Sequence, residues 1–210
     1  IIYGNGNIPD YTRYQQPEWY EYKDKITSIT IREGIQSIGL YSIYDLSKVN
    51  TINANINHPH FKTTNNILMT KDEKEIIQYA IGNIQMTTYI IPSTVEKIQN
   101  GAFINCHYLQ SIEVDLTNKN FTSVQGVLFS KYKKELYQYP IGKVTQSYTI
   151  PDNTTTIKEG AFQYSTLQSI TITDTITTIE NNAFSDCLPL NEVKYIYDKE
   201  PSERGYDIFT

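Results

Sequence analysis

A fixed pattern of hydrophobic positions occurs four times along the chain, starting at Ile31, Ile91, Ile150 and Ile172. From each start, mostly apolar residues follow at offsets of 4, 7, 12, 15, 18, 21 and 23, and the third copy runs one residue short in its second half. The second copy shows the full set, which is Val95, Ile98, Phe103, Cys106, Leu109, Ile112 and Val114. A period in the twenties predicts a solenoid, because each unit can bury its apolar face only against its neighbours.

Within each unit, the period of the hydrophobic pattern changes. Apolar and polar residues alternate around Ile112 and Val114, which predicts a strand with these two side chains pointing inward. The same alternation occurs in the other units, at Ile29 with Ile31, Ile170 with Ile172, and Val193 with Tyr195. The stretch 100–106 is too short and too polar for a strand, so it predicts a single helical or 3-10 turn with Phe103 as its core residue. The expected fold is a β-rich solenoid with short convex helical or 3-10 turns.

A second period of 60 residues overlays the first, since residues 58–91 resemble residues 118–150. The first of these segments contains two short β-runs, 67–71 and 76–79, which a polar turn at 71–75 joins. In the second segment, the equivalent runs and turn are 127–131, 136–139 and 131–135. Each segment is therefore interpreted as a β-hairpin inserted between plain coils.

One structural domain is expected, because a longer solenoid chain adds further coils to one stack and does not form additional domains. Residues 1–25 are interpreted as an N-terminal cap, in which Trp19 covers the first coil in preference to binding a ligand. The rest of the chain is a solenoid at 26–210, with coils at 26–54, 91–114, 150–171 and 172–195, hairpin modules at 55–90 and 115–149, and a partial last coil at 196–210. The last coil is considered partial because Ile208-Phe209 resembles the Ala-Phe pair of earlier units, which favours a chain that is part of a longer protein.

Composition narrows the choice of partners. The net charge is −5 and no long run of Lys or Arg occurs, so neither nucleic acid nor an anionic membrane is an expected partner. No apolar stretch is long enough to span a bilayer, and the first residues lack the basic start and the cleavage site of a signal peptide. The 18 tyrosines suit half-exposed strand positions and are also typical of binding surfaces.

The two cysteines, Cys106 and Cys187, both occupy offset 15 of their units. Stacking places them at equivalent positions along the solenoid axis, at least two coils apart, with Ser165 at the same position between them. Adjacent coils are about 4.8 Å apart, so the two residues are separated by roughly 10 Å, beyond the ~7 Å limit for a disulfide. We therefore expect two free, buried thiols that act as small hydrophobic residues.

Candidate chemistry is sparse. His58 and His60 lie close together, but a metal site needs further ligands, and the second module has Asn118 and Asn120 at the equivalent positions. The two histidines are therefore interpreted as solvent-facing loop residues, and no metal or cofactor is expected. No nucleophile elbow, phosphate-binding loop or zinc-protease motif occurs, which favours a non-enzymatic protein. Asn120 and Asn153 begin N-glycosylation sequons, which matter only in a eukaryotic secretory pathway.

The unit at 91–114, Ile-Pro-x-x-Val-x-x-Ile-x-x-x-Ala-Phe-x-x-Cys-x-x-Leu-x-x-Ile-x-Val, resembles the BspA-like leucine-rich repeat family. The unit at 172–195 fits the same pattern with Thr173 where proline is usual, whereas the first unit has Ser42-Ile43 in place of Ala-Phe. The resemblance implies a leucine-rich-repeat solenoid. Members of the family are mainly surface or secreted proteins of mucosa-dwelling bacteria and parasitic protists, many of them implicated in adhesion to host cells or matrix proteins. The family supplies no catalytic residues.

A curved solenoid offers the outward side chains of its strands as one extended surface. The candidate ligand-binding face therefore consists of the residues between and beside the inward pairs, which are Thr30, Arg32, Asn53, Asn55, Glu113, Asp115, Thr171, Thr173, Lys194 and Ile196. This face is mostly polar, mixed in charge and free of aromatic residues, which suits weak and multivalent contacts or an inert scaffold face. The hairpin tips at 71–75 and 131–135 are a second candidate.

The leading functional hypothesis is a non-enzymatic surface or secreted protein that adheres to a host matrix or cell-surface protein. One alternative is a glycan-binding module, which would place aromatic platforms on the exposed sheet. The other alternative is an intracellular scaffold, which the location of the parent protein would distinguish from the first hypothesis.

Overall fold

The computed structural model describes residues 4–196 and 200–209 of the chain. The chain divides into two compact units, Ile1–Gln85 with Thr94–Cys106, and Met86–Ser93 with His107–Thr210. Nearly all regular structure in the described residues is β-strand, and strands of successive coils pair in parallel within each unit. The prediction of a β-rich solenoid is confirmed.

The described residues of the first unit form two parallel strand pairs and one larger sheet. Strand β1 (Gly6–Ile8) pairs with β3 (Ile35–Ile38), and β2 (Ser28–Ile31) pairs with β4 (Thr51–Ala54). The larger sheet has the order β5 (Phe61–Thr64), β6 (Ile67–Thr70), β7 (Glu75–Tyr79) and β9 (Lys97–Ile98). A 3-10 helix, Glu18–Tyr22, precedes β2.

The described residues of the second unit form three sheets. Strand β8 (Thr88–Ile91) pairs in parallel with β10 (Ser111–Val114). A three-stranded parallel sheet has the order β14 (Ser147–Thr149), β16 (Ser169–Ile172) and β18 (Glu192–Tyr195). A six-stranded sheet has the order β11 (Phe121–Val124), β12 (Val127–Ser130), β13 (Glu135–Gln138), β15 (Thr156–Ile157), β17 (Thr178–Ile179) and β19 (Glu203–Arg204).

The core follows the repeated hydrophobic offsets. Parallel pairing places equivalent residues side by side, as Ile170 lies beside Val193. Every position of the four-copy pattern is buried except Ala54, Leu190, Val193 and Tyr195, and these four pack half-buried against the cores. The repeat register therefore predicts the interior correctly, because stacked coils bury the same face at each offset.

The turns around Phe103 also follow the prediction. The Ala102 amide donates to the Gln99 carbonyl at 3.0 Å, and the Ile104 amide donates to the Gly101 carbonyl at 3.1 Å. These three-residue spacings make isolated turns of the 3-10 type, with the Phe103 ring buried beneath them. In the second unit, the equivalent rings of Phe162, Phe184 and Phe209 stack in succession, with centroids 4.8 and 5.1 Å apart.

Each hairpin module has three strands where the sequence interpretation had two. The predicted runs form β6 with β7 and β12 with β13, and both pairs are antiparallel. The strand that the interpretation missed precedes them, as β5 in the first module and β11 in the second. The last strand of each module pairs in parallel with the next coil, which integrates the hairpin into the stack.

The N-terminal segment packs on the first coil of its unit. The Trp19 indole N–H donates to the Ser42 carbonyl at 2.8 Å, and its ring meets Tyr11 edge-on at 6.0 Å. Trp19, Tyr11 and Tyr20 are partly buried against the core of the first unit. These contacts attach the segment to the core of the first unit.

Candidate functional site

In the first unit, the predicted ligand face forms one surface depression of about 510 Å³. Thr30 and Asn53 lie side by side on the paired strands β2 and β4, while Arg32 and Asn55 follow the ends of those strands. Ile31, Glu33 and Ala54 complete the lining. The structure therefore brings together all four residues that the sequence proposed for this unit.

The depression presents hydrogen-bonding groups and one cation. Asn53, Asn55 and Arg32 are exposed, and Thr30 is half-buried between them. No salt bridge holds the Arg32 guanidinium among residues 4–196 and 200–209, so its five N–H donors are available to a carboxylate or another planar acceptor. This arrangement suits reversible polar binding.

A second depression of about 470 Å³ adjoins the first and shares Ala54 and Asn55 with it. Its other lining residues are Ile56, Lys62, Thr63, Lys71 and Glu73. Lys62 forms a salt bridge with Glu73, and the Lys71 ammonium donates to the Ile56 carbonyl at 2.7 Å. The first hairpin tip thus borders the predicted face, and Ile56, Lys62 and Thr63 are lining residues that sequence reasoning missed.

In the second unit, the predicted carboxylate Glu113 is already engaged by hydroxyl groups. Its two oxygens accept hydrogen bonds from Ser111 at 2.6 Å and from Ser123 at 2.7 Å. These bonds, together with the nearby charge of Lys143, hold the pKa of Glu113 below its usual value. Glu113 is therefore ionised and held in one orientation at neutral pH, which suits it to accept a donor from a ligand.

Asp115 follows β10 and is exposed. Hydrogen bonds from the Thr117 hydroxyl at 2.6 Å and the Thr117 amide at 2.8 Å lower the pKa of Asp115. This carboxylate consequently serves mainly to shape its own turn, as an aspartate does when it bonds the backbone two residues ahead.

The remaining predicted residues lie on and beyond β16 and β18. Thr171 and Lys194 are side by side, and Lys194 forms a surface salt bridge of 3.1 Å with Glu192. Ile196 is half-buried. Thr173 was expected to face solvent, and this expectation is wrong because only 1% of it is exposed. It follows the end of β16, where its hydroxyl lies 3.0 Å from that of Thr175 and does not point outward.

The interpretation of His58 as a solvent-facing residue is also wrong, whereas His60 is exposed as expected. His58 is completely buried, and its Nε2 lies 2.9 Å from the Arg32 carbonyl. Its Nδ1 accepts from the amides of His60 and Phe61, both at 3.2 Å. A carbonyl on one side and two amides on the other require a neutral ring with the proton on Nε2.

Asn118 makes the same set of bonds in the second unit. Its Nδ2 donates to the Pro92 carbonyl at 2.8 Å, and its Oδ1 accepts from the amides of Asn120 and Phe121, both at 2.8 Å. Sequence alignment of the modules paired His58 with Asn118 correctly. Only the contact to the preceding coil reveals that both are buried anchors.

The prediction of two free, buried thiols is confirmed. Burial raises the pKa of both Cys106 and Cys187, which keeps them in the unreactive thiol form. The Cys187 sulfur lies 2.9 Å from the Phe162 carbonyl and 3.4 Å from the Ser165 hydroxyl. Both cysteines therefore belong to the core.

Within the described residues, no three or more histidine, cysteine, aspartate or glutamate side chains gather closely enough to hold a metal ion. Helices there also fall short of the length and apolar character that crossing a bilayer requires.

Comparison with known proteins agrees with this architecture. Residues 15–145 and 134–203 match the BspA type leucine rich repeat region, in six copies. No protein of curated function matches the sequence.

Two solved structures share the fold. One is a leucine-rich repeat protein from Eubacterium ventriosum, at 23% identity and a TM-score of 0.52, with 92% of this chain and 66% of that one covered. The other is the pneumococcal vaccine antigen PcpA, at 20% identity and a TM-score of 0.60, with 86% and 47% covered. The chain thus spans less than two thirds of the length of either protein.

Proposed function

We propose that this chain, which belongs to the BspA-type leucine-rich repeat family, is the adhesive part of a non-enzymatic surface or secreted protein. Its partner is a protein of a host cell or of the host matrix. The family supports a role in protein interaction, and the finer assignment to host adhesion is our inference. The pneumococcal vaccine antigen with the same fold supports the surface or secreted location.

The observation that carries the proposal is the joining of four predicted residues in one depression of the first unit. Thr30, Asn53 and Asn55 supply hydroxyl and amide groups that both donate and accept, and Arg32 supplies an exposed cation. Such a surface fits a polar, carboxylate-bearing segment of a partner protein. In the second unit, Thr171 and Lys194 lie side by side on β16 and β18, and Glu113 lies on β10, so this unit also presents polar residues from its strands.

The first test measures binding of the chain, displayed in many copies on beads, to intact epithelial cells and to their deposited matrix. The variant Arg32→Ser with Asn53→Ser is expected to weaken binding roughly tenfold, because it removes charge-assisted and amide hydrogen bonds. Lys48→Ser, which removes an exposed cation outside the depression, is the matched control. Absence of measurable binding by the unaltered chain at high valency would contradict the proposed function.

A further inference from the structure

The two hairpin modules each expose a branched aliphatic side chain at the same place. Ile56 is 86% exposed and Leu116 is 96% exposed. The two residues are 60 positions apart, which is the period of the modules. Core packing does not account for these two side chains, because both are almost fully exposed.

Both residues lie at the tip of a β-turn that is fixed at three points. In the first module, the His58 amide donates to the Asn55 carbonyl at 2.8 Å, and the Asn57 amide donates to the Asn55 side chain at 2.9 Å. The turn then ends at the buried His58 ring, whose bond to Arg32 ties it to the preceding coil. These bonds leave the backbone beneath Ile56 little freedom.

The second module builds the same turn from different residues. The Asn118 amide donates to the Asp115 carbonyl at 2.9 Å, and the Thr117 amide donates to the Asp115 carboxylate at 2.8 Å. Asn118 replaces the histidine as the buried anchor, with its bond to Pro92. All four turn residues differ between the modules, yet the tip remains a branched aliphatic residue.

Single exposed apolar residues are common on protein surfaces and by themselves indicate nothing. Residues at turn tips, however, are usually polar, glycine or proline. An aliphatic tip on a rigid turn loses little conformational entropy when it enters a pocket, so it is well suited to anchor an interface. Anchors of this type carry a large share of the affinity of protein interfaces.

The charged residues around Ile56 and Leu116 favour a protein as the partner. Next to Ile56, Lys62 is neutralised by Glu73, and Lys71 is bonded to the turn carbonyl. Next to Leu116, the ionised Asp115 is accompanied by Lys131, whose ammonium donates to the Asn118 carbonyl. Such mixed charges favour the polar rim of a protein pocket over an anionic membrane, and a glycan would be recognised by aromatic faces rather than by a branched aliphatic chain.

We propose that Ile56 and Leu116 are partner-contacting residues, each inserting into an apolar pocket with a polar rim on a partner protein. This inference rests on the proposed function and names the residues that carry it. In the first module, Lys62, Thr63 and Glu73 line the depression beside Ile56. These three polar side chains contact the polar rim of the partner's pocket.

The test compares two paired variants in the multivalent binding assay with epithelial cells and their deposited matrix. The turn variant is Ile56→Ser with Leu116→Ser. The control is Ile84→Ser with Val144→Ser, which removes two aliphatic residues that are also 60 positions apart and are 65% and 91% exposed. We expect the turn variant to bind at least roughly tenfold more weakly and the control to bind like the unaltered chain. Unchanged thermal unfolding in both variants would show that neither pair supports the fold.

Each other outcome overturns the inference in a distinguishable way. Normal binding by the turn variant sinks the inference and leaves the proposed function standing. An equal loss in the control shows general stickiness of apolar residues instead of anchoring. Binding of the unaltered chain to phosphatidylserine vesicles, or its self-association in ultracentrifugation that the turn variant abolishes, replaces the partner protein with a membrane or a second copy. If the unaltered chain binds neither cells nor matrix, the proposed function fails and the inference fails with it.

Discussion

At the scale of single residues, two chemically different side chains perform one structural task. The side chains of His58 and Asn118 each accept hydrogen bonds from two backbone amides, and each also contacts a carbonyl of the preceding coil. An imidazole and a carboxamide can replace each other here because each offers one acceptor and one donor on opposite sides. Buried groups of this kind are costly to remove, since their partners lose hydrogen bonds that water cannot readily restore.

This equivalence predicts the effect of exchanging the anchors. His58→Asn is expected to cost no more than about 1.5 kcal/mol in the free energy of unfolding, because the carboxamide can remake the bonds. His58→Ala is expected to cost roughly 2–4 kcal/mol, because a buried carbonyl and two amides lose their partner. Urea unfolding followed by circular dichroism measures both variants, and Asn118→Ala is the matched variant in the other module. Equal losses for His58→Asn and His58→Ala would contradict the shared role.

At the scale of the structural element, the repeats share backbone conformations as well as core residues. One corner of each coil places a residue in the left-handed region, at Tyr41, Gly101, Gly160 and Asn182. A second corner does so at Asp45, Asn105, Tyr164 and Asp186. Glycine, asparagine and aspartate tolerate this region, whereas tyrosine enters it only under constraint from the stack. The stacked coils therefore hold residues such as tyrosine in a left-handed backbone conformation that these residues rarely adopt.

The hairpin turns offer a test of this constraint. Lys133 has a φ of 58° in the turn between β12 and β13, and its backbone amide donates a hydrogen bond to the Ser130 carbonyl. Lys133→Gly is expected to stabilise the protein by about 0.5–1 kcal/mol, because relief of the left-handed strain outweighs the entropy cost of glycine. Its neighbour Lys134 does not have a positive φ, so Lys134→Gly should destabilise by a similar amount. Thermal unfolding of the two variants measures the difference, and a shift in the same direction for both would contradict the argument.

At the scale of the whole molecule, each compact unit has its own core and its own buried thiol. Cys106 belongs to the first unit and Cys187 to the second. Burial excludes solvent from both sulfurs and raises the pKa of both thiols. The two cysteines can therefore report separately on the opening of each unit.

Alkylation with iodoacetamide, followed by peptide mass spectrometry, checks this expectation. In the folded chain, both cysteines should react at least roughly 100-fold more slowly than in urea, because modification requires the surrounding core to open. Lys48→Cys supplies an exposed thiol as the positive control. Rapid alkylation of either native cysteine in the folded chain would show that its unit is not packed as described.

The sequence predicted a large part of the fold because burial repeats with a regular spacing. The offsets identified core residues such as Phe103 and Ile157, and the 60-residue period matched β6 with β12 across the modules. Strand β5 escaped prediction, because its sequence, Phe-Lys-Thr-Thr, buries only the first side chain and has no alternation to detect. Four residues of the proposed ligand face line one depression in the first unit, whereas Thr173 is buried.

The sequence by itself determined the solenoid, its core offsets and the correspondence of the two modules, because a repeated apolar spacing can be satisfied only by stacking equivalent faces. Tertiary structure alone decided that His58 is a buried anchor, that Ile56 and Leu116 stand out on braced turns, and that Arg32 borders a depression. The physical reason is that these contacts join residues far apart in the sequence: the hydrogen-bond partner of His58 lies 26 residues earlier, in the preceding coil. Local patterning records which residues avoid water, whereas their hydrogen-bond partners are known only once the coils are stacked.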